Sequence, residues 1–122
     1  MLKRIVNEST WLTRPGVIFT GLVFQVLSVQ AEVSVSRQSE LVHLVQHDCG
    51  SCHGMTLGGG LGPPLTVERL QSRTADELTG IIRYGVPNTP MPPWDSILSS
   101  EEIEWIVKQL QSGMLLTSTD KP

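Results

Sequence analysis

The two cysteines of this 122-residue chain lie three positions apart, and a histidine follows the second one directly. They are Cys49 and Cys52 in the stretch HDCGSCH, with His53 as the last residue. Three kinds of chemistry use two thiols at this spacing: a redox-active disulfide, half of a metal site, and covalent attachment of haem through two thioether bonds. The surrounding sequence has to distinguish between them.

The context of the motif favours haem attachment. A redox-active C-x-x-C motif is expected in a βαβ unit, but no strand-like alternation occurs in this sequence. Structural zinc needs four Cys or His ligands, and the other two histidines, His43 and His47, lie just upstream where we expect them to face solvent. C-x-x-C-H is the attachment signature of c-type haem, in which Cys49 and Cys52 bind the vinyl groups and His53 binds the iron.

A methionine thioether is a common second axial ligand of such an iron. Met1 belongs to the N-terminal segment treated below, and Met114 follows the last expected helix. Met55 is two residues from His53, too near to reach the opposite face of the iron. Met91 lies in TPMPPW, where prolines restrict the backbone and lower the cost of ordering the loop. We therefore predict His53 and Met91 as the axial pair; the alternative for Met91 is a buried loop residue.

The residues that must position the motif read as short helices and irregular loops. After a polar lead-in at 32–38, apolar residues at helical spacing predict a helix over 39–48 that runs into the cysteines. Five glycines and two prolines exclude regular structure over 54–64. Thr66 is then expected to cap a short helix at 67–71.

Two capping boxes mark the starts of the remaining helices. Thr74 begins a T-x-x-E box, and the helix after it is expected to end at Gly85. A second proline-rich run covers 86–94, and Ser99 begins an S-x-x-E box. The following apolar stripe consists of Ile103, Ile106, Val107 and Leu110. Gly113 should stop this helix and leave a frayed tail. The sequence thus predicts an all-α fold of three to four helices.

The N-terminal 31 residues have the order of an export signal. Basic residues precede a 14-residue apolar run at 16–29, and small or β-branched residues, Val29 and Ala31, occupy the positions that a signal peptidase reads. This run is shorter than the roughly 20 residues needed to span a bilayer, which disfavours the alternative, a permanent membrane anchor. We predict a signal peptide at 1–31, cleaved after Ala31, and a mature domain at 32–122.

The mature domain is small and acidic. It holds six Lys and Arg against eleven Asp and Glu, a formal charge of −5, which disfavours nucleic acid as a partner. At about 90 residues with few aromatic side chains, its apolar core is thin, and domains of this size often need a cofactor or cross-link. A covalently bound haem would use both thiols and enlarge the core.

The C-x-x-C-H motif and the two loops that follow it resemble those of the small monohaem class I cytochromes c. The resemblance extends from about residue 39 to residue 111. GPPL at 62–65 is similar to a Gly-Pro-x-Leu turn of that family. The resemblance implies that the Pro63 carbonyl accepts the N–H of the haem-ligating histidine and that Leu65 packs on the haem. It also implies that TPMPPW is the distal methionine loop, and that the last helix crosses the first.

The combination of CGSCHGMTLGGGLGPPLT with TPMPPW resembles the c-55X type more narrowly. These cytochromes are associated with haem-d-containing (cd-type) nitrite reductase in denitrifying bacteria. The resemblance implies a periplasmic electron carrier, not an enzyme, with one haem c and redox partners such as that reductase or the proteins that assemble its haem d. Two alternatives stay open: a ligand-binding or catalytic haem with a labile sixth position, and a docking partner in haem d maturation.

Overall fold

The computed structural model describes residues 32–117. The predicted signal peptide lies outside these residues and stays a prediction. None of the helices between residues 32 and 117 has the length and hydrophobicity that a membrane span requires. Helices and loops account for all of the described backbone, and no strand occurs in it, which confirms the all-α prediction.

The first helical segment carries the cysteine motif at its end. It consists of α1 (Val35–Leu44), a π-helical turn (Val45–Cys49) and the single turn α2 (Gly50–His53), without interruption. The N–H of Gly50 bonds to the Val45 carbonyl, five residues back, which widens the helix at this point. Both cysteines and His53 are therefore presented from one continuous helix, as predicted.

This helix begins four residues earlier than predicted, so the assignment of 35–38 to a polar lead-in is wrong. The Ser34 hydroxyl accepts a hydrogen bond from the N–H of Arg37 and caps the helix. Arg37 also donates to Glu40 on the same helix and to Glu102 from the distant C-terminal helix, at 2.6 and 2.5 Å. The second of these contacts is tertiary, so helical spacing could not predict it.

The next three helices follow the predicted boundaries closely. They are α3 (Val67–Leu70), α4 (Ala75–Tyr84) and α5 (Ser100–Ser112). A further short helix, α6 (Met114–Thr117), was not predicted. Both predicted capping boxes form, at the starts of α4 and α5. Thr66 takes the capping position of α3, but its side chain makes no capping hydrogen bond there.

The prediction that the chain frays directly after Gly113 is wrong. Gly113 ends α5 in the left-handed conformation, and α6 follows directly. The Leu115 side chain is 2% exposed in the core, so burial orders this extra turn.

Helix α5 is the centre of the core. It packs mainly against α4, and also against α3 and α6. The predicted apolar stripe of α5 is buried throughout, together with Leu41 and Val45 from the first helical segment. Leu57, in the glycine-rich loop, is fully buried although its φ is +57°, a conformation that bulky residues rarely adopt. Burial of this side chain fixes the loop beside the cysteine motif.

Candidate functional site

A cleft of about 740 Å³ opens between the cysteine helix, the two irregular loops and helices α3 to α5. Aliphatic, aromatic and proline side chains form most of its wall, as in pockets that take a largely apolar ligand. All six side chains predicted to bind a cofactor line this one cleft. They are Cys49, Cys52, His53, Pro63, Leu65 and Met91.

The two cysteine side chains lie on the cleft wall, half-buried and not joined by a disulfide. Burial, with a smaller contribution from the negative charge of Asp48, raises the pKa of the Cys49 thiol to about 11. The cleft therefore favours an uncharged sulfur at this position. A thioether is uncharged, so attachment of a group through Cys49 places no charge in the apolar wall.

The His53 ring is held in one orientation. It is 9% exposed, and its Nδ1 lies 2.7 Å from the carbonyl oxygen of Pro63. A carbonyl can only accept, so Nδ1 carries the proton and donates it to this bond. Nε2 is left with a free lone pair, which is the arrangement that metal-ligating histidines have.

Gly62 is a further determinant of this ring position. A Cβ at residue 62 would lie 2.8 Å from both Cε1 and Nδ1 of His53, closer than real contacts of this kind. The Gly62 N–H donates to the Cys52 carbonyl at 2.8 Å, which holds the backbone against the ring. The glycine-rich composition predicted a loop, but only the fold shows that residue 62 must lack a side chain.

Met91 is half-buried in the proline-rich loop and lines the cleft. Its carbonyl accepts the N–H of Val86 at 3.2 Å, and its own N–H donates to the Thr89 hydroxyl at 3.2 Å. Gly85 contacts the same loop: with φ at +67°, a Cβ there would lie 2.6 Å from the Met91 carbonyl oxygen. The loop is thus fixed by backbone contacts as well as by its prolines.

The alternative side chains lie elsewhere among the described residues. Met55 and Met114 are 56% and 52% exposed and are not in the cleft wall. His43 and His47 are exposed on the first helical segment, where their rings stack with centroids 6.1 Å apart. None of these four lines the cleft, so Met91 is the one methionine of 32–117 available there.

Leu65 connects the cleft to the core. It lines the cleft and packs against the buried cluster, and its N–H donates to the Leu57 carbonyl at 2.9 Å.

The six predicted side chains fit a planar apolar group with two vinyl groups and one metal ion. Two uncharged thiols, one imidazole with a free nitrogen, one thioether and an apolar wall together match the chemistry of haem c.

Comparison with known proteins identifies the family. Residues 37–108 match the family model described as "Cytochrome C oxidase, cbb3-type, subunit III", which places the chain in that family of c-type cytochromes. Cytochrome c55X of Stutzerimonas stutzeri is 37% identical over 84% of this chain and 90% of its own length. This chain belongs to the monohaem class I cytochromes c, of the c55X type. It therefore carries haem c, bound covalently and with iron.

Other relatives agree with this assignment. Cytochrome c55X of Pseudomonas aeruginosa is 48% identical over 63% of this chain, and the match spans 65% of that relative. The solved structure of a c-type cytochrome NirC superposes with a TM-score of 0.66 at 45% identity, covering 67% of this chain and 96% of the other. The expected class I cytochrome c fold is thereby confirmed, and so is electron transfer as the general role.

Proposed function

We propose that this cytochrome is a periplasmic electron carrier whose haem occupies the cleft. Cys49 and Cys52 would form the two thioether bonds, and His53 and Met91 would be the axial ligands. The observation that carries this proposal is the state of His53: its Nδ1 is engaged by Pro63, and its Nε2 is free inside an apolar cleft that also contains Met91.

The chain's own residues would keep the site closed and rigid. Bound haem iron supplies reversible one-electron chemistry between its ferrous and ferric states. The Pro63 carbonyl holds the proton on Nδ1 and so fixes the direction of Nε2. Backbone hydrogen bonds hold the Met91 loop, and Leu65, which packs against the buried cluster, would help to exclude water from the haem. Ligands held in this way need little rearrangement when the charge of the site changes.

The positions of the carboxylates favour a carrier over a catalytic haem. Asp95, the carboxylate nearest to Met91 in sequence, lies in a turn and does not line the cleft. Asp48 is the one carboxylate in the cleft wall, on the helix that bears the cysteines and close enough to act on the Cys49 thiol. Asp95 is thus outside the cleft, and Asp48 lies on the cysteine helix and not on the methionine loop, so neither is a natural acid or base for a ligand bound at Met91.

Similarity to cytochrome c55X and NirC supports a role in denitrification. We propose cd-type nitrite reductase, or the proteins that assemble its haem d, as the redox partner. The formal charge of −5 on 32–122 favours a basic surface on the partner and an association that weakens with salt. Redox encounters of this kind bury a small interface and dissociate quickly.

The periplasmic location depends on the predicted signal peptide at 1–31. N-terminal sequencing of the exported protein would test its cleavage after Ala31.

Absorption spectra of the matured protein test the axial ligands. We expect the reduced wild-type protein to show a c-type spectrum that carbon monoxide leaves unchanged, and the oxidised protein to show a weak methionine-to-iron band. Met91→Ala should lose that band and bind carbon monoxide readily, because the position becomes open. Met55→Ala is the matched control and should behave like the wild type, since Met55 is exposed outside the cleft. Ready binding of carbon monoxide by the wild-type protein would contradict the closed site.

Electron transfer and docking can be separated with the same variant. Stopped-flow mixing of the reduced cytochrome with oxidised cd-type nitrite reductase should show rapid oxidation that slows as salt is added. Met91→Ala should slow electron transfer strongly while leaving binding intact, because the change is confined to the cleft. If the variant supports haem d maturation as well as the wild type does, the docking role replaces the carrier role.

A further inference from the structure

Two arginines stand out in the wall of the cleft. Arg69 on α3 and Arg73 in the turn after it are the cleft's two Lys or Arg side chains within residues 32–117. Both are exposed, which places them at the mouth of the cleft. The ion pairs of the described chain both involve Arg37, so neither cleft arginine has a carboxylate partner in the structure.

The backbone on either side of these side chains is fixed. The N–H of Arg73 donates to the Leu70 carbonyl at 3.0 Å, and the side chain of Gln111 on α5 donates to the Arg73 carbonyl at 3.2 Å. The Arg69 carbonyl accepts from the Ser72 hydroxyl at 3.2 Å. Both arginines therefore stand on ordered backbone and line the mouth of a cleft whose remaining wall is mostly apolar.

The cysteine end of the cleft carries the opposite charge. Asp48 lines the cleft there, and its negative charge contributes to the raised pKa of Cys49. A haem has two vinyl groups on one side of its ring and two propionate carboxylates on the other. Thioether bonds to Cys49 and Cys52 would hold the vinyl side at the cysteine helix. The carboxylates must then reach another part of the rim, away from the carboxylate of Asp48.

We propose that Arg69 and Arg73 bind the two haem propionates. Guanidinium groups pair with carboxylates through two parallel hydrogen bonds, and α3 with the turn that follows it supplies the two groups from neighbouring positions in the cleft wall. This inference rests on the proposed placement of the haem in the cleft, and it assigns a role to residues outside the C-x-x-C-H, G-P-x-L and methionine-loop motifs. Arg69 and Arg73 are positioning residues, which orient the haem and add positive charge near the iron.

The positive charge of Arg69 and Arg73 should raise the reduction potential of the haem. The ferric haem has one more positive charge than the ferrous haem, so nearby guanidinium groups disfavour the ferric form. We expect Arg69→Gln with Arg73→Gln to lower the reduction potential, changing the ratio of oxidised to reduced protein at a fixed potential about threefold, or about 28 mV at 59 mV per tenfold. Each single variant should give about half of this shift.

A second readout observes the carboxylates directly. With propionates labelled with carbon-13, NMR should show their proton affinity rising about tenfold in the double variant, because a cationic neighbour no longer stabilises the ionised form. Lys108→Gln removes the same charge from an exposed site on α5 outside the cleft and is the matched control. It should stay within about 1.3-fold of the wild type in both measurements, because solvent screens the lost charge.

The results that support the assignment of the arginines differ from those that contradict it. Shifts in the arginine variants that the control lacks, and that Arg69→Lys with Arg73→Lys largely reverses, support the assignment. Poor haem loading in the Arg→Gln variants that the Arg→Lys pair restores supports it as well. Arginine variants that match Lys108→Gln in potential and propionate titration overturn it. A closed wild-type spectrum beside such variants would refute this inference alone, whereas carbon monoxide binding by the wild type would refute the proposed axial ligation.

Discussion

Substitution of Gly62 by alanine tests how the fold positions His53. The added Cβ would lie 2.8 Å from the ring atoms Cε1 and Nδ1, whereas an ordinary contact is at least 3.4 Å. The ring or the loop must therefore shift by about 0.6 Å. The ring is held at 2.7 Å by Pro63 and the loop backbone at 2.8 Å by Cys52, so either shift strains a hydrogen bond.

The expected loss of stability has two sources, the overpacking at residue 62 and the weakened hydrogen bond of His53. Overpacking a well-filled site costs about 1–3 kcal/mol. Weakening the bond between His53 and Pro63 adds about 0.5–1.5 kcal/mol. Residue 62 does not have a positive φ, so no backbone strain contributes. Gly62→Ala should thus lower the unfolding free energy of the haem-bound protein by roughly 1.5–4.5 kcal/mol, out of a total of about 5–15 kcal/mol.

Denaturant unfolding of the haem-bound protein, followed by haem absorption, measures this change. Gly58→Ala in the same loop is the matched control, because the nearest atom to its added Cβ is the Thr56 hydroxyl oxygen at 3.3 Å on an exposed surface. We expect the control to remain within about 0.5 kcal/mol of the wild type. Equal midpoints for Gly62→Ala and Gly58→Ala would show that the packing of residue 62 on His53 does not constrain the ring.

Two further predictions concern the methionine loop and the N-terminal contact. Gly85→Ala should lower stability by about 1–3 kcal/mol because of its positive φ and its contact with the methionine loop. Gly80→Ala in the interior of α4, where nothing lies within 4 Å, should raise it by about 1 kcal/mol; thermal unfolding compares the two. Glu102→Gln removes a carboxylate whose pKa is lowered by its hydrogen bond to Arg37, so its contribution is present above the unfolded value of about 4.5 and lost as pH falls through the lower folded value. The difference in unfolding free energy between wild type and Glu102→Gln should therefore be larger at pH 7 than at pH 3, and an equal difference at both values would contradict the pairing.

The local parts of the fold could be predicted from the sequence because their causes are local. The capping boxes at Thr74 and Ser99 join residues three apart, and both form as predicted. The stripe on α5 repeats at helical spacing and is buried as expected. C-x-x-C-H predicted haem attachment because all of its chemistry lies within five residues.

Interactions between distant residues were not predictable in this way. The early start of α1 depends in part on the contact of Arg37 with Glu102, 65 residues away. The order of α6 depends on burial of Leu115, and the path of the glycine-rich loop on burial of Leu57. In each case the free energy comes from a contact that exists only after the chain has folded.

The cleft also combines features with local causes and features that depend on distant contacts. By itself the sequence determined which groups are available for chemistry, namely the two thiols, the imidazole of His53 and the thioether of Met91. Only the tertiary structure decided that these groups line one apolar space, that Gly62 contacts the ring, and that Arg69 and Arg73 stand at the mouth. Chemical capacity belongs to residue types and short spacings, whereas placement depends on how helices far apart in the chain pack together.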